Sequence, residues 1–440
     1  GWRISEEPFW RVNEQIFSDM KVRASYGSLG NGNVDPYSFL ELLSIKTSDR
    51  VLNGALNKYT SAPAVMPSGL TWETATTTDV GLDFGMLNSR FRFSGDYYIR
   101  KTTDMYTVGK TLPEIFGAAS PKGNYADMTT KGWEITLTWR DHFELASKPF
   151  NYEIKGTLSD YISTIDRYNN ENKYLDDYYE GMRVGEIWGY ETEGLFKDQA
   201  DIDNHATQKL IKSSSKNIWY PGDVKLKDQD GNGAIDYGTN RVDDHGDLKV
   251  IGNSLPRFAY SINLSGDWNN FFISAFFQGV GKQDWYPSSE CIFWGQYNRP
   301  YNNLPTWHVD NYWTEDNQGA YLPRYAGYNT SIRDTKQTRY LQNVAYIRLK
   351  NLQFGYTLPK QWISKIMLQN ARVYISAENL WCWSPLYKHT RDLDVTNIYG
   401  SDPDLTDADM KSGLNGKRGS GDGNSYPQMR SVSLGVSVTF

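Results

Sequence analysis

No run of this sequence approaches the roughly 18 to 20 uninterrupted apolar residues that a spanning helix needs, and the mean hydropathy is -0.62. Transmembrane helices are excluded. Charge of one sign is also missing, because 46 basic residues stand against 52 acidic ones, interspersed along the chain; no basic footprint for nucleic acid results. The two cysteines, Cys291 and Cys382, are too few for a disulfide framework and are not spaced as a metal pair. Whether they pair with each other is left open by the sequence. None of the five histidines lies in an HExxH or GxSxG context, and no set of nucleophile, base and orienting group is visible. A chain without enzymatic activity is expected. Linkers, internal repeats and compositional breaks are absent too, so one large β architecture fits 440 residues better than several small domains. The start, Gly1-Trp2-Arg3-Ile4-Ser5, has no initiating Met, basic n-region or apolar h-region. It reads as a mature terminus or as the interior of something longer.

What the sequence does have is strict alternation. Over 90–100, Phe91, Phe93, Gly95, Tyr97 and Ile99 share one face and Arg92, Asp96 and Arg100 the other, the period of a strand with two chemically different sides. Trp133, Ile135, Leu137 and Trp139 alternate in the same way with Glu134, Thr136, Thr138 and Arg140, and Tyr152, Ile154 and Leu158 with Glu153, Lys155 and Ser159. The pattern recurs at 257–264 and 372–377. It closes with Val432, Leu434, Val436, Val438 and Phe440 against Ser431, Ser433, Gly435, Ser437 and Thr439.

A soluble sandwich also alternates, but its strands commonly run about five or six residues. The alternating segments here run about nine to eleven, the length that crosses a bilayer at a tilt. Aromatics at the ends of the apolar faces, such as Trp133 and Trp139, suit an interfacial girdle. Short turns are read at 83–89 and 266–270, and long connections near 101–130, 163–255, 281–343 and 381–429. Loops that long count against a compact soluble domain and are expected on the extracellular side of a membrane barrel. The fold class expected is all-β, an antiparallel transmembrane β-barrel with long extracellular loops. Charges on the polar faces, among them Arg92, Glu134, Arg140, Lys155 and Arg348, must then point inward, since a charge facing lipid at mid-depth costs roughly 2 to 4 kcal/mol.

Several phrases carry a family resemblance: Gly1-Trp2-Arg3-Ile4-Ser5-Glu6-Glu7, Lys21-Val22-Arg23-Ala24-Ser25-Tyr26-Gly27, Pro221-Gly222-Asp223 running into Asp228-Gln229-Asp230-Gly231-Asn232-Gly233, Tyr312-Trp313-Thr314, and Leu349-Lys350-Asn351-Leu352-Gln353-Phe354-Gly355-Tyr356. Together they resemble the C-terminal part of a SusC/RagA-type TonB-dependent outer-membrane transporter. The terminal Phe440 resembles the signal read by the barrel-assembly machinery. The resemblance implies a barrel of about 22 strands with a plugged lumen, of which a census of about eleven or twelve strands supplies the C-terminal half over 1–440. The first residues match the family in mid-barrel, so the TonB box, plug domain and early strands are expected on a separate piece. It further implies import of oligosaccharides energised through TonB, in partnership with a SusD-like surface lipoprotein, the N-terminal half of the transporter and outer-membrane lipid. The alternatives are a RagA-type peptide importer, a passive porin complete in this chain, and a secreted β-rich glycan-binding protein.

Two local features bear on ligands. Asp228, Asp230, Asn232 and Asp236 place side-chain oxygens at loop positions 1, 3, 5 and 9, with the Ala234 carbonyl at position 7 and Gly233 at the turn, the order by which an EF-hand-like loop wraps Ca²⁺. Position 12 is Thr239, not an acid, so Asp243 or Asp244 serves only if the loop is longer. The plain alternative is a Gly/Asp-rich surface turn. The second feature is the aromatic stretch 284–328, in which Trp285, Trp294, Tyr297, Trp307 and Trp313 beside Arg299, Asn302 and Asn303 suit stacking on sugar rings with nearby hydroxyl partners. A self-packed loop or a protein interface is the competing account.

Overall fold

Three hairpin turns set the architecture. In the computed structural model, Ala146 and Ser147 have φ of 48° and 58°, and Asn269 and Asn270 of 46° and 70°, the two-residue geometry whose twist matches antiparallel strands. Leu87, Asn88 and Ser89 do the same at 53°, 57° and 61°. Around these turns the chain runs up and down as one sheet of eleven strands in sequence order. They are β1 (Trp2–Arg3), β2 (Phe17–Asn31), β3 (Glu73–Met86), β4 (Phe91–Val108), β5 (Lys122–Leu145), β6 (Lys148–Arg167), β7 (Arg257–Trp268), β8 (Phe271–Lys282), β9 (Tyr346–Thr357), β10 (Asn370–Trp383) and β11 (Ser431–Thr439). The structure describes residues 1–13, 15–32, 40, 43–61, 69–109, 115, 121–396, 398 and 428–440.

Short and long connections alternate. The described residues of links 4–16, 87–90, 146–147, 269–270 and 358–369 lie on one side, and those of 32–72, 109–121, 168–256, 283–345 and 384–430 on the other. The expected boundaries need correction at several points. Asp83 to Met86 and Gly266 to Trp268 are strand rather than turn, and most of 101–130 is strand, because β4 and β5 run 18 and 24 residues. Of the remaining loop, 110–114 and 116–120 lie outside the described residues, as do 397 and 399–427 of the loop near 381–429. The long connection 32–72, with its hairpin Ser44–Leu52 and Ala55–Ser61, has no counterpart in the sequence expectations.

A bilayer needs about nine to eleven residues per strand, so β4, β5 and β6, the last of 20 residues, continue well past the membrane and carry the loops outward. Register keeps the two faces chemically distinct over the middle of the strands. Trp139, Ile154, Leu264, Ala275, Leu352, Ala377 and Val432 form one unbroken cross-strand row, and Tyr152, Gly266, Ile273, Phe354, Ile375 and Leu434 the next. Leu434 is 74% exposed, and Ile375 and Phe354 are about half exposed. A continuous exposed apolar band of this kind belongs against lipid. The opposite face holds Arg23, bonded to Asp83 and Asp96 at 2.7 Å each, and the pair Arg140–Glu153. Among the described residues β1 and β11 pair only with β2 and β10, so these eleven strands do not close on themselves. Cys291 and Cys382 are not joined in a disulfide.

Candidate functional site

The long connections are not loose. Segments of 168–256, 283–345 and 384–398 pack over the ends of β8 to β10 around a buried cluster that includes Val224, Trp285, Phe293, Trp294, Tyr297, Leu322, Tyr340, Leu386 and Leu393. Three of the residues nominated for sugar stacking, Trp285, Trp294 and Tyr297, belong to this core, and a fourth, Trp313, is buried beside Gly222. Trp285 is 1% exposed, Trp294 and Tyr297 0%, and Trp313 8%. Trp294 donates its indole N–H to the Ser288 carbonyl at 3.0 Å, and the Tyr297 hydroxyl donates to the Pro323 carbonyl at 2.7 Å. Burial pushes the Tyr297 phenol far above its ordinary pKa. Their expected ligand contact is corrected on geometric grounds, because a ring sealed on both sides offers no face to a sugar. Arg299 is tied to Glu290 at 2.8 Å and is half-exposed.

Trp307 is the exception. It is only partly buried, seated edge-on against His308 at 4.2 Å and against Phe293 at 4.9 Å, and it forms a wall of a cleft of about 540 Å³ with Asn302, Asn303, Thr390 and Asp392. The Thr390 hydroxyl donates to the Asp392 carboxylate at 3.0 Å, which fixes two polar groups in the lining of the same cleft. A flat ring together with a few fixed hydrogen-bonding groups is the chemistry of a small-ligand cleft. The 390–392 contribution was not legible, since those residues lie about eighty positions from Trp307.

The acidic loop is ordered by its own carboxylates. Asp228 accepts the N–H groups of Gly231 at 2.7 Å and Gly233 at 2.9 Å, and Asn232 accepts that of Ala234 at 2.7 Å. The N–H of Gly233 above all holds the Asp228 carboxyl below the usual range. Carboxylate oxygens of Asp228, Asp230 and Asp247 come within 4.8 Å of one another. Asp247, fully buried, is the third acid of this group and also accepts the N–H groups of Gln229 at 2.6 Å and Asp236 at 2.8 Å. Asp243 and Asp244 do not belong to it, because Asp243 pairs with Arg241 at 2.9 Å and Asp244 accepts from Thr239 at 2.7 Å. Asp236 turns its Oδ1 to the N–H of Gly238 at 2.8 Å, and only part of the expected set converges. Three carboxylates with backbone and amide oxygens nearby fit a hard cation.

No family model matches the sequence. TonB-dependent receptor P3 of Formosa agariphila is 28% identical over 471 residues, spanning 100% of this chain and 41% of the relative. TonB-dependent receptor SusC of Bacteroides thetaiotaomicron is 24% identical over 100% of this chain and 39% of its own length. Along its whole length this chain is similar to SusC/RagA-type TonB-dependent receptors. The fold agrees, for the RagAB peptide importer in its closed-closed state superposes with a TM-score of 0.67 at 19% identity, covering 100% of this chain and 42% of that one. The chain spans about two fifths of the length of the curated relatives it matches. The sheet is thus a portion of an outer-membrane β-barrel, its apolar rows against lipid and its charged face toward the lumen. These relatives are named as receptors, not as enzymes.

Proposed function

We propose that this chain builds part of the wall and the ligand-gathering extracellular loops of an outer-membrane nutrient importer whose cargo is an oligosaccharide. The observation that carries the cargo reading is the cleft lined by Trp307 together with Asn302, Asn303 and Asp392, an aromatic ring with hydroxyl-matching groups. On this reading the N-terminal half of the barrel and a plug complete the transporter, TonB energises it, and a SusD-like surface lipoprotein shares its extracellular mouth. The structural likeness to the RagAB peptide importer favours one second reading, a peptide cargo. A passive porin has less support, since the eleven strands do not close.

The test is calorimetric titration of the intact transporter in detergent with neutral and acidic oligosaccharides and with mixed short peptides. Saturable oligosaccharide binding that weakens in Trp307→Ala is expected. Binding of peptides alone, unaffected by that substitution, would replace the sugar reading with the peptide one. We further propose that Asp228, Asp230 and Asp247, with Asn232 and the Ala234 carbonyl at hand, hold Ca²⁺ and so lock the 228–247 loop. Failure of Ca²⁺ to raise the loop's protease resistance would remove that proposal.

A further inference from the structure

Where β9, β10 and the start of β11 meet the segment that follows β10, a second cavity of about 160 Å³ opens. Its guanidinium groups come from Arg348, Arg391 and Arg430, and its one carboxylate from Asp394. Arg348 stands in register with Gln278 and Cys382, on the polar face of the sheet, so the cavity belongs to the luminal side. Arg348 is 4% exposed at its side chain and is held by Asp394 at 2.5 Å and by the Gln428 amide oxygen at 3.0 Å. Its Nε is buried without a hydrogen-bond partner. Burial pulls the Asp394 carboxyl upward, but Arg348 and Thr396 more than offset this and leave it below the usual range.

Arg391 and Arg430 are placed differently. Both are exposed, and among the described residues neither has a carboxylate partner. Arg391 lies 5.1 Å over the Tyr387 ring, which steadies a guanidinium while leaving its N–H edge free. Among the described residues, three guanidinium groups against one carboxylate give the lining of this cavity an excess of two positive charges. It also adjoins the Trp307 cleft, since Leu393 lines both.

We propose that this cavity receives the carboxylate or sulfate group of a negatively charged oligosaccharide whose neighbouring ring rests in the Trp307 cleft. The proposal rests on the oligosaccharide reading above and narrows it. Arginine forks match planar carboxylates and sulfate oxygens with two parallel hydrogen bonds. A partly enclosed site screens such bonds less than open water does. Arg348, already committed to Asp394, fixes the cavity wall and adds an unfilled donor, while Arg391 and Arg430 are free to close on the ligand.

The test uses the intact transporter in detergent. Its probes are trimers of galacturonate, of guluronate and of sulfated galactose, their carboxyl-reduced or desulfated counterparts, and inorganic sulfate. Phenylglyoxal labelling of Arg391 and Arg430, read by mass spectrometry, reports occupancy directly, and calorimetry gives affinities. At least one anionic trimer should protect both arginines and bind about tenfold or more tightly than its neutral counterpart. Arg391→Gln with Arg430→Gln should erase that preference and leave the neutral trimer's affinity unchanged, and the paired lysine variant should restore part of it. Heat-modifiable migration on gels confirms that each variant is folded. If charged and neutral trimers bind alike and the glutamine variant changes nothing, the anion site is overturned while the oligosaccharide reading survives. If sulfate protects the arginines but no trimer binds, the oligosaccharide reading falls and this proposal with it. Absence of protection by every probe overturns the anion site outright.

Discussion

Arg324 and Asp223, 101 residues apart in sequence, meet at 2.7 Å with the carboxylate only 2% exposed. The contact joins the Pro221-Gly222-Asp223 turn to the aromatic connection between β8 and β9, and the neighbouring groups share the task. Arg324 donates its backbone N–H to the Gly222 carbonyl at 2.8 Å, and its guanidinium lies 4.7 Å over the Tyr220 ring. Gly222 has a φ of 85°, and a Cβ there would come within 2.3 Å of the Trp313 ring. Glycine is required at this position for both reasons.

Removing one member of this pair strands the other in a buried site. Asp223→Ala should therefore destabilise the loop layer by about 3 to 5 kcal/mol, while the paired exchange Asp223→Leu with Arg324→Met should lose much less. Hydrogen exchange at 220–226 and 322–326 reads the effect locally. Equal protection in wild type and Asp223→Ala would show that the pair does not hold the two connections together.

The facing of the sheet makes a second prediction. Leu434 and Ser433 are adjacent, yet Leu434 continues the row of Ile273, Phe354 and Ile375, and Ser433 that of Ser376 and Gln353. An arginine toward lipid near mid-depth costs roughly 2 to 4 kcal/mol. Leu434→Arg should reduce assembly into the outer membrane, and Ser433→Arg should be tolerated. Similar amounts of folded barrel for both variants in membrane fractions would reverse the assignment.

These faces were legible in the sequence because a strand alternates with period two wherever its sides meet different media, so residues 432–440 carry their own orientation. Local turn chemistry was legible too, as Asn269 and Asn270 show. The loop layer was not. Its core forms by contacts between segments far apart, and composition alone does not separate a tryptophan that stacks on sugar from one that fills a core. Trp294 and Trp307 lie thirteen positions apart in the same polar company, and only packing tells them apart. Asp247 escaped notice for a similar reason, since it reaches the acidic loop from well beyond the twelve-residue frame that the EF-hand pattern searches.

That position of Asp247 yields a calcium prediction with an internal control. Asp247→Asn keeps the shape and one of the two acceptor oxygens, which take the N–H groups of Gln229 and Asp236, and removes a charge from the convergent trio with Asp228 and Asp230. Titrated Ca²⁺ should bind at least about tenfold more weakly. Asp243→Asn, whose carboxylate is engaged by Arg241, should bind as wild type does. Chelation should expose 228–247 to protease in wild type only; loss of binding in the Asp243 variant and not in the Asp247 variant would assign the site to the wrong acid.

His308 gives the loop layer a pH dependence. It is fully buried, its Nε2 lies 3.0 Å from the Phe293 carbonyl and therefore carries the proton, and its Nδ1 has no partner. Burial lowers its pKa to about 4. The unfolded chain, titrating near 6.5, thus binds the proton first, so stability is full above about pH 6.5 and declines as pH falls toward 4. The loss is of order 3 kcal/mol at about 1.4 kcal/mol per unit. Burial lowers His389, packed on Trp307 and Tyr321 in the same layer, to about 4 as well, so chemical denaturation of the loop layer between pH 7 and 4 should show a slope with both contributions, and His308→Gln should reduce it by about half.

The sharpest separation of packing from binding comes from the two tryptophans themselves. Trp294 is sealed within the cluster and touches Phe293 and Tyr340 with ring centroids at 5.1 and 5.7 Å. Trp294→Ala should open a cavity costing about 3 to 5 kcal/mol, seen as a lower unfolding temperature of the loop layer whether or not ligand is present. Trp307 keeps one side on the cleft, so Trp307→Ala should perturb stability less and oligosaccharide affinity more, by about tenfold. Trp307→Phe, which keeps a flat ring, should recover part of that affinity, whereas Trp294→Phe should recover stability. A result in which Trp307→Ala destabilises the layer as much as Trp294→Ala and leaves binding untouched would return Trp307 to the core and leave the cleft without its platform.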